Sequence, residues 1–283
     1  SSYHLKNLYK LNGLVALVTG GGTRIGLMMA RGLVENGTKV YITERRKDVL
    51  ERVVTSGIIK GEVFALQMDV TVKASILEAK KVIAQNEGKL YILVNNAGHA
   101  GPMSLWFDDL TSLQHKDAET LGQALFNEVE EGWADVFAIN VYSIYFVTMA
   151  FLGLLDKGMK DQPGYTSSVI NMTSIRCQRV LTCGQFAYNT SKSAASHLNK
   201  MLATELVRVN AIVPGVYESK MTKTAIRPED VDATASGILP VPAQRAGTGE
   251  EMAGTTVYLA SPSGCYATGQ EIVIDGGYLA VNP

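Results

Sequence analysis

Cysteine is scarce. Three occur in 283 residues, at positions 177, 183 and 265. None forms a Cys-x-x-Cys pair, so a disulfide framework is excluded and Cys177, Cys183 and Cys265 read as ordinary reduced thiols. No cluster of His, Cys and acidic residues has ligand spacing, so no metal is expected, and the methionines read as packing. No uninterrupted run of 18 apolar residues occurs, so no membrane span is expected. Charge of one sign is not in excess: the formal net charge is -1, without blocks of like charge. That argues against a nucleic-acid arm or a polybasic membrane anchor. The opening Ser-Ser-Tyr-His-Leu-Lys is not a secretory signal, which makes the cytoplasm the expected compartment. Linkers, repeats and low-complexity stretches are also missing, so residues 1–283 are expected to form one domain.

The chain is 46% hydrophobic, enough for a substantial core. Short apolar runs at residues 14–18, 40–43, 63–67, 90–94, 169–172, 207–213 and 271–274 read as seven strands. Helical spacing separates the first four, at residues 25–34, 47–54 and 72–85. Buried-looking strands alternating with helices predict an α/β fold: a Rossmann-type, doubly wound parallel sheet with helices on both faces. Two segments exceed simple alternation, residues 101–132, with Trp106, Phe107 and two helix-like stretches, and residues 216–244. Both follow strand ends on the ligand side of such sheets and are expected to form substrate lids.

The first strand runs into Thr19-Gly-Gly-Gly-Thr-Arg-Ile-Gly26, which opens a helix. Gly20 permits a tight turn, Gly21 and Gly22 admit a pyrophosphate, and Gly26 permits close helix–strand packing beneath it. After the second strand come Glu44, Arg45 and Arg46. An acid there suits the ribose 2′-hydroxyl of NAD, whereas arginines suit the 2′-phosphate of NADP. With Arg24 nearby, the arginine cluster favours NADP; Glu44 keeps NAD open.

Tyr188 and Lys192 stand four residues apart, on one face of a helix, where an ammonium can lower the pKa of a phenol. With 12 Tyr and 16 Lys in the chain, that spacing arises by chance roughly 0.7 times. The pair gains meaning from Ser174 upstream and the glycine turn, because a phenol poised for proton transfer beside a hydride donor serves carbonyl reduction.

Taken in order, these motifs resemble the short-chain dehydrogenase/reductase family over nearly the whole chain. Thr19 to Gly26 resembles its cofactor turn, with Arg24 at a family glycine. Asp69-Val70 resembles the pair whose acid contacts adenine. Asn95-Asn96-Ala97-Gly98 matches the motif after strand four, and Asn140 the asparagine of the central helix. Ser174, Tyr188 and Lys192 match the family's Ser and Tyr-x-x-x-Lys. Pro214-Gly215, Ser219 and Ile274-Asp275-Gly276-Gly277 match its C-terminal signatures. Within the family the chain is most similar to 3-oxoacyl-carrier-protein reductase-like and rhamnolipid-type ketoreductases. Two spacings depart: residues 98–140 are longer than usual, and residues 205–210 about four shorter.

The resemblance implies an NADP-dependent oxidoreductase that transfers hydride to a 3-oxoacyl-like or other ketone, or from a secondary alcohol, and assembles as a homotetramer. Tyr188 would be the acid–base residue, Lys192 would hold the nicotinamide ribose, Ser174 would donate to the substrate oxygen, and Asn140 would hold a water. Gly20, Thr23, Arg24, Ile25, Gly26, Arg45, Arg46, Asp69, Val70, Asn96, Ala97, Gly98, Pro214, Gly215 and Ser219 would line the cofactor, with Tyr188 and Lys192. The alternative is a non-catalytic dinucleotide-binding regulatory protein on the same fold. A sugar epimerase needs a substrate domain larger than the roughly 70 residues after Pro214.

Overall fold

The computed structural model describes residues 2–178, 183–206, 208–217 and 241–282. Seven strands form one sheet: β1 (Val15–Thr19), β2 (Lys39–Glu44), β3 (Val63–Gln67), β4 (Ile92–Asn95), β5 (Ser168–Met172), β6 (Arg208–Pro214) and β7 (Glu271–Ile274). Their spatial order is β3-β2-β1-β4-β5-β6-β7, and every pair is parallel. The order reverses between β1 and β4, which opens a crevice at their carboxyl ends. Among the described residues the helices are α1 (Leu5–Leu8), α2 (Arg24–Glu35), α3 (Lys47–Thr55), α4 (Lys73–Asn86), α5 (Ala118–Phe126), α6 (Glu130–Phe137), α7 (Ser143–Asp161), α8 (Phe186–Glu205), α9 (Gly249–Ala260) and α10 (Tyr278–Val281).

The four central strands β1, β4, β5 and β6 are buried throughout, while the edge strands β3 and β7 are largely solvated. Their Val- and Ile-rich runs follow from helices covering both faces. One of these, α7, turns Ile144, Val147, Phe151, Leu154 and Leu155 inward at helical spacing. It lies so close to β4 that a Cβ on Gly158 would stand 2.1 Å from the Leu90 carbonyl oxygen.

With α6 and the turn between them, α7 makes a continuous helix, Glu130–Asp161. Its length and mean hydropathy of 1.8 would suffice to cross a membrane. The fold gives a different reason for the apolarity: the inward face packs on the sheet, and the other carries Tyr142, Tyr145 and Phe146 partly exposed.

The short connection after α8 is accommodated by the first residue of β6. Arg208 is buried, its Nη1 donates to the Leu259 carbonyl, and its Nη2 donates to the Thr166 carbonyl at 3.0 Å. Tyr165 stacks near the guanidinium, 5.9 Å from ring centroid to Cζ. The strand is thus pinned at its start.

Candidate active site

The glycine turn joins β1 to α2 at the crevice. Gly20 has φ +63°, and a Cβ on Gly26 would stand 2.2 Å from the Gly20 carbonyl oxygen. Both positions therefore demand glycine. Asn96 ties this turn to the end of β4: its side-chain amide donates to the Thr19 carbonyl (2.8 Å) and to the Gly20 carbonyl (3.1 Å). Thr19 Oγ1 in turn accepts the backbone N–H groups of Asn96 and Ala97. Two successive strand–helix turns are thus knotted together. The backbone cradle above them suits a pyrophosphate approaching the N-terminus of α2.

Arg24, at the family glycine, has φ +48°. It keeps the left-handed backbone that a glycine would adopt, with its side chain exposed. Thr23 precedes it in extended conformation, and Ile25 is half-buried behind the turn. Glu44 lies over the turn: a Cβ on Gly22 would be 3.1 Å from Glu44 Cγ. Burial pushes the Glu44 carboxyl above its ordinary pKa, and the charges of Arg46 and Arg45 only partly offset this. Arg45 and Arg46 are exposed. Asp69 and Val70 follow β3; Asp69 Oδ1 accepts from the Thr71 backbone and hydroxyl, which holds the turn beside the crevice. Pro214 ends β6, and Gly215 hydrogen-bonds the Ile274 carbonyl. Ser219 lies outside the described residues, as does most of 216–244.

The second cluster forms where β4, β5 and α8 meet. Lys192 is 4% exposed, and its ammonium donates to the Met172 carbonyl at 2.9 Å. Among the described residues no carboxylate acts on it. Burial, against a small opposing contribution from Cys177, lowers its pKa to about 8. Asn140, 1% exposed, belongs to a π-turn (Ala138–Tyr142) that widens the helix between α6 and α7. Its Nδ2 donates to the His99 carbonyl and to Ser191 Oγ, and its Oδ1 accepts the His99 N–H, each at 2.9 Å. A Cβ at Gly98 would stand 3.5 Å from Asn140 Oδ1 and 3.7 Å from Lys192 Nζ. Glycine there keeps the space above the lysine open.

Tyr188 lies one turn before Lys192, with Lys192 Nζ 5.7 Å from its ring centroid. The sequence suggests that the lysine lowers the phenol's pKa. The structure gives another balance: burial raises it, while a hydrogen bond with Ser174 and the charge of Arg176 pull it down. The net shift is upward, so the phenol holds its proton at neutral pH. Ser174, at the end of β5, is 8% exposed and caps the following turn through a hydrogen bond from the Arg176 N–H at 3.2 Å. All four residues named as catalytic from sequence therefore gather at the crevice.

The long segment 101–132 closes one side. Ser104 N–H donates to the Gly184 carbonyl (2.8 Å), and Phe107 stacks edge-on against Phe186 with centroids 5.3 Å apart, two residues before Tyr188. Trp106 and His115 pack on Phe107. Glu128 clamps the segment, accepting from Ser104 Oγ (2.7 Å) and Trp133 Nε1 (2.9 Å).

From sequence, Asn95 is read only as part of a motif, and Asn171, Thr148 and Asn199 beneath the site are missed. Asn95 Nδ2 donates to Thr148 Oγ1 (3.0 Å) and Asn171 Oδ1 (2.9 Å), and Asn171 Nδ2 donates to Asn199 Oδ1 (3.0 Å). This buried amide chain links β4, α7, β5 and α8 beneath the site. Its only sequence signal is asparagine inside otherwise apolar strands, at Asn95 and Asn171.

Known proteins resemble this chain in sequence and fold. Residues 22–279 match a family model described as enoyl-(acyl carrier protein) reductase. The short-chain dehydrogenase/reductase PhomF of Diaporthe leptostromiformis is 36% identical over 98% of this chain and 95% of that protein. A rhamnolipids biosynthesis 3-oxoacyl-[acyl-carrier-protein] reductase of Pseudomonas aeruginosa is 33% identical over 95% of this chain and 98% of that protein. A Pseudomonas aeruginosa RhlG/NADP active-site complex superimposes with TM-score 0.78 at 31% identity, over 95% of this chain and 98% of that one. With the model spanning most of the sequence and relatives above 30% identity along almost all of it, the chain belongs to the short-chain dehydrogenase/reductase family, and it transfers a hydride between a nicotinamide cofactor and a carbonyl or secondary-alcohol substrate.

Proposed function

We propose that this chain is an NADPH-dependent ketone reductase, acting on 3-oxoacyl-like or related ketones, with Tyr188 as the general acid. The carrying observation is the convergence of Asn140 and Lys192 on the open position at Gly98, beside Tyr188. A dinucleotide bound in the crevice would supply the hydride for the carbonyl carbon. Tyr188 gives its hydroxyl proton to the carbonyl oxygen, and Ser174 donates a hydrogen bond to the same oxygen as negative charge develops there. In the reverse direction Tyr188 takes the proton back from the alcohol. Lys192, with one hydrogen on the Met172 carbonyl, would hold the nicotinamide ribose with another. Asn140 fixes the neighbouring backbone through His99, and holds the water through which the proton on Tyr188 is replaced.

Gly20, Thr23, Arg24, Ile25 and Gly26 hold the pyrophosphate side of the cofactor; Asp69 and Val70 the adenine; Asn96, Ala97, Gly98, Pro214, Gly215 and Ser219 the nicotinamide side. NADP is favoured by Arg24, Arg45 and Arg46, all exposed at the crevice. The related complex solved with NADP supports the same choice. Residues 101–132 and 216–244 are the substrate lids. The exposed aromatic face of Tyr142, Tyr145 and Phe146 suits burial in a homotetramer, and the free thiols suit the cytoplasm.

The test follows NADPH absorbance with a panel of 3-oxo esters and other ketones. Tyr188→Phe is expected to lose at least about 100-fold in kcat while keeping its NADPH affinity. Retained turnover would reject Tyr188 as the acid. Cofactor binding without turnover of any ketone would favour a dinucleotide-binding regulatory protein.

A further inference from the structure

Arg176 has no place in the mechanism above, yet it is the cation beside it. Its backbone N–H bonds Ser174 Oγ at 3.2 Å, so the side chain leaves the fold two residues from the hydroxyl assigned to the substrate. The residue is half-buried; its Nη1 is enclosed and, among the described residues, without a hydrogen-bond partner. No carboxylate among those residues pairs with it. Glu271, whose charge is felt at the adjoining Cys177, is taken by Ser196 and by Lys200, the latter at 3.4 Å.

Arg208 supplies an internal comparison. It is 3% exposed, and both its terminal nitrogens reach backbone carbonyls. The two terminal nitrogens of Arg208 are therefore satisfied by the fold, although among the described residues its Nε is enclosed without a partner, whereas Arg176 lacks a partner at a terminal nitrogen, Nη1. A guanidinium cannot shed its charge, and an enclosed donor left open is rare enough to need a reason. Its positive charge also acts on the phenol of Tyr188.

We infer that Arg176 binds substrate, selecting ketones that carry a carboxylate or similar anion close to the carbonyl group. The planar fork of Arg176 matches two carboxylate oxygens, while Ser174 and Tyr188 hold the carbonyl oxygen. This inference rests on the proposed ketone-reductase reading, and it adds the chemistry of the substrate's second group.

The experiment compares 3-oxo and 4-oxo acids with their methyl esters, using the full chain and NADPH. The wild-type protein is expected to prefer the acids in kcat/KM. Arg176→Met should lower kcat/KM for the acids roughly 10- to 100-fold, the range that a hydrogen bond to a charged group supports. Most of the loss should fall in KM, with the esters changed less than about threefold. Arg176→Lys should recover part of the acid preference. Calorimetric titration with the matching alkanoate, which has no keto group, should show the same loss of affinity in Arg176→Met without any turnover. Equal losses on acids and esters, or a wild-type preference for esters, would overturn the assignment of Arg176 and leave the reductase reading standing. No turnover of either class would overturn both.

Discussion

Lys192→Met removes the buried ammonium and leaves a side chain of similar length. Lys192 is 4% exposed, and burial takes its pKa from 10.5 to about 8. At 1.36 kcal/mol per pH unit, keeping that charge inside costs the fold roughly 3 kcal/mol at neutral pH. The substitution also strips the Met172 carbonyl of its donor, a loss of about 1 kcal/mol. A net stabilisation near 2 kcal/mol remains, which in a chain of this size raises Tm by roughly 4–8 °C. Because the folded pKa lies below the unfolded one, the penalty is complete below about pH 8, shrinks between pH 8 and 10.5, and vanishes above. Urea unfolding of both proteins at about pH 7 and pH 10 measures the gap. Lys192→Met should be the more stable protein at pH 7, nearly equal or weaker at pH 10, and inactive in the ketone assay. A variant less stable at pH 7, or a gap that ignores pH, would refute the claim that Lys192 is a strained charge kept for function.

Two further outcomes follow from the same geometry. Arg24→Gly relieves a non-glycine residue at φ +48° and should add up to about 1 kcal/mol of stability in thermal unfolding, while weakening NADPH binding several-fold in a fluorescence titration. Asn171→Leu takes from Asn95 Nδ2 one of its two acceptors, leaving Thr148 Oγ1, and takes from Asn199 Oδ1 its donor Asn171, in a dry interior. It should destabilise by about 2–3 kcal/mol in urea unfolding, more than a surface asparagine-to-leucine change.

Much of this could be read in the chain, and the exceptions have physical reasons. Every strand was placed within two residues. The fourth was expected from Leu90 but begins at Ile92, because Leu90 and Tyr91 face the core while still entering the sheet. The turn containing Arg24 could be located but its backbone could not, since an arginine in left-handed conformation carries no local signal. Asn140 was found by resemblance; its π-turn was not, because Ala-Ile-Asn-Val-Tyr contains neither proline nor glycine. The widening is accompanied by tertiary bonds to His99 and Ser191. The expected lowering of the Tyr188 pKa failed for a similar reason, since four-residue spacing describes a helix face and says nothing of burial. Ser219 falls outside the described residues, so its place beside the cofactor rests on resemblance alone.

The paired hydrogen bonds between Asn140 and His99 have a wider meaning. They fasten the two ends of the segment that runs from the tip of β4 to the central helix, in a two-point amide clasp. What lies between is therefore a closed loop whose length is decoupled from the position of Asn140. Doubling such a loop adds only about 0.6 kcal/mol of closure entropy. The neck makes this region an exchangeable cassette: evolution, or a protein engineer, can graft in another segment and change what the enzyme accepts without retuning the chemistry beneath it.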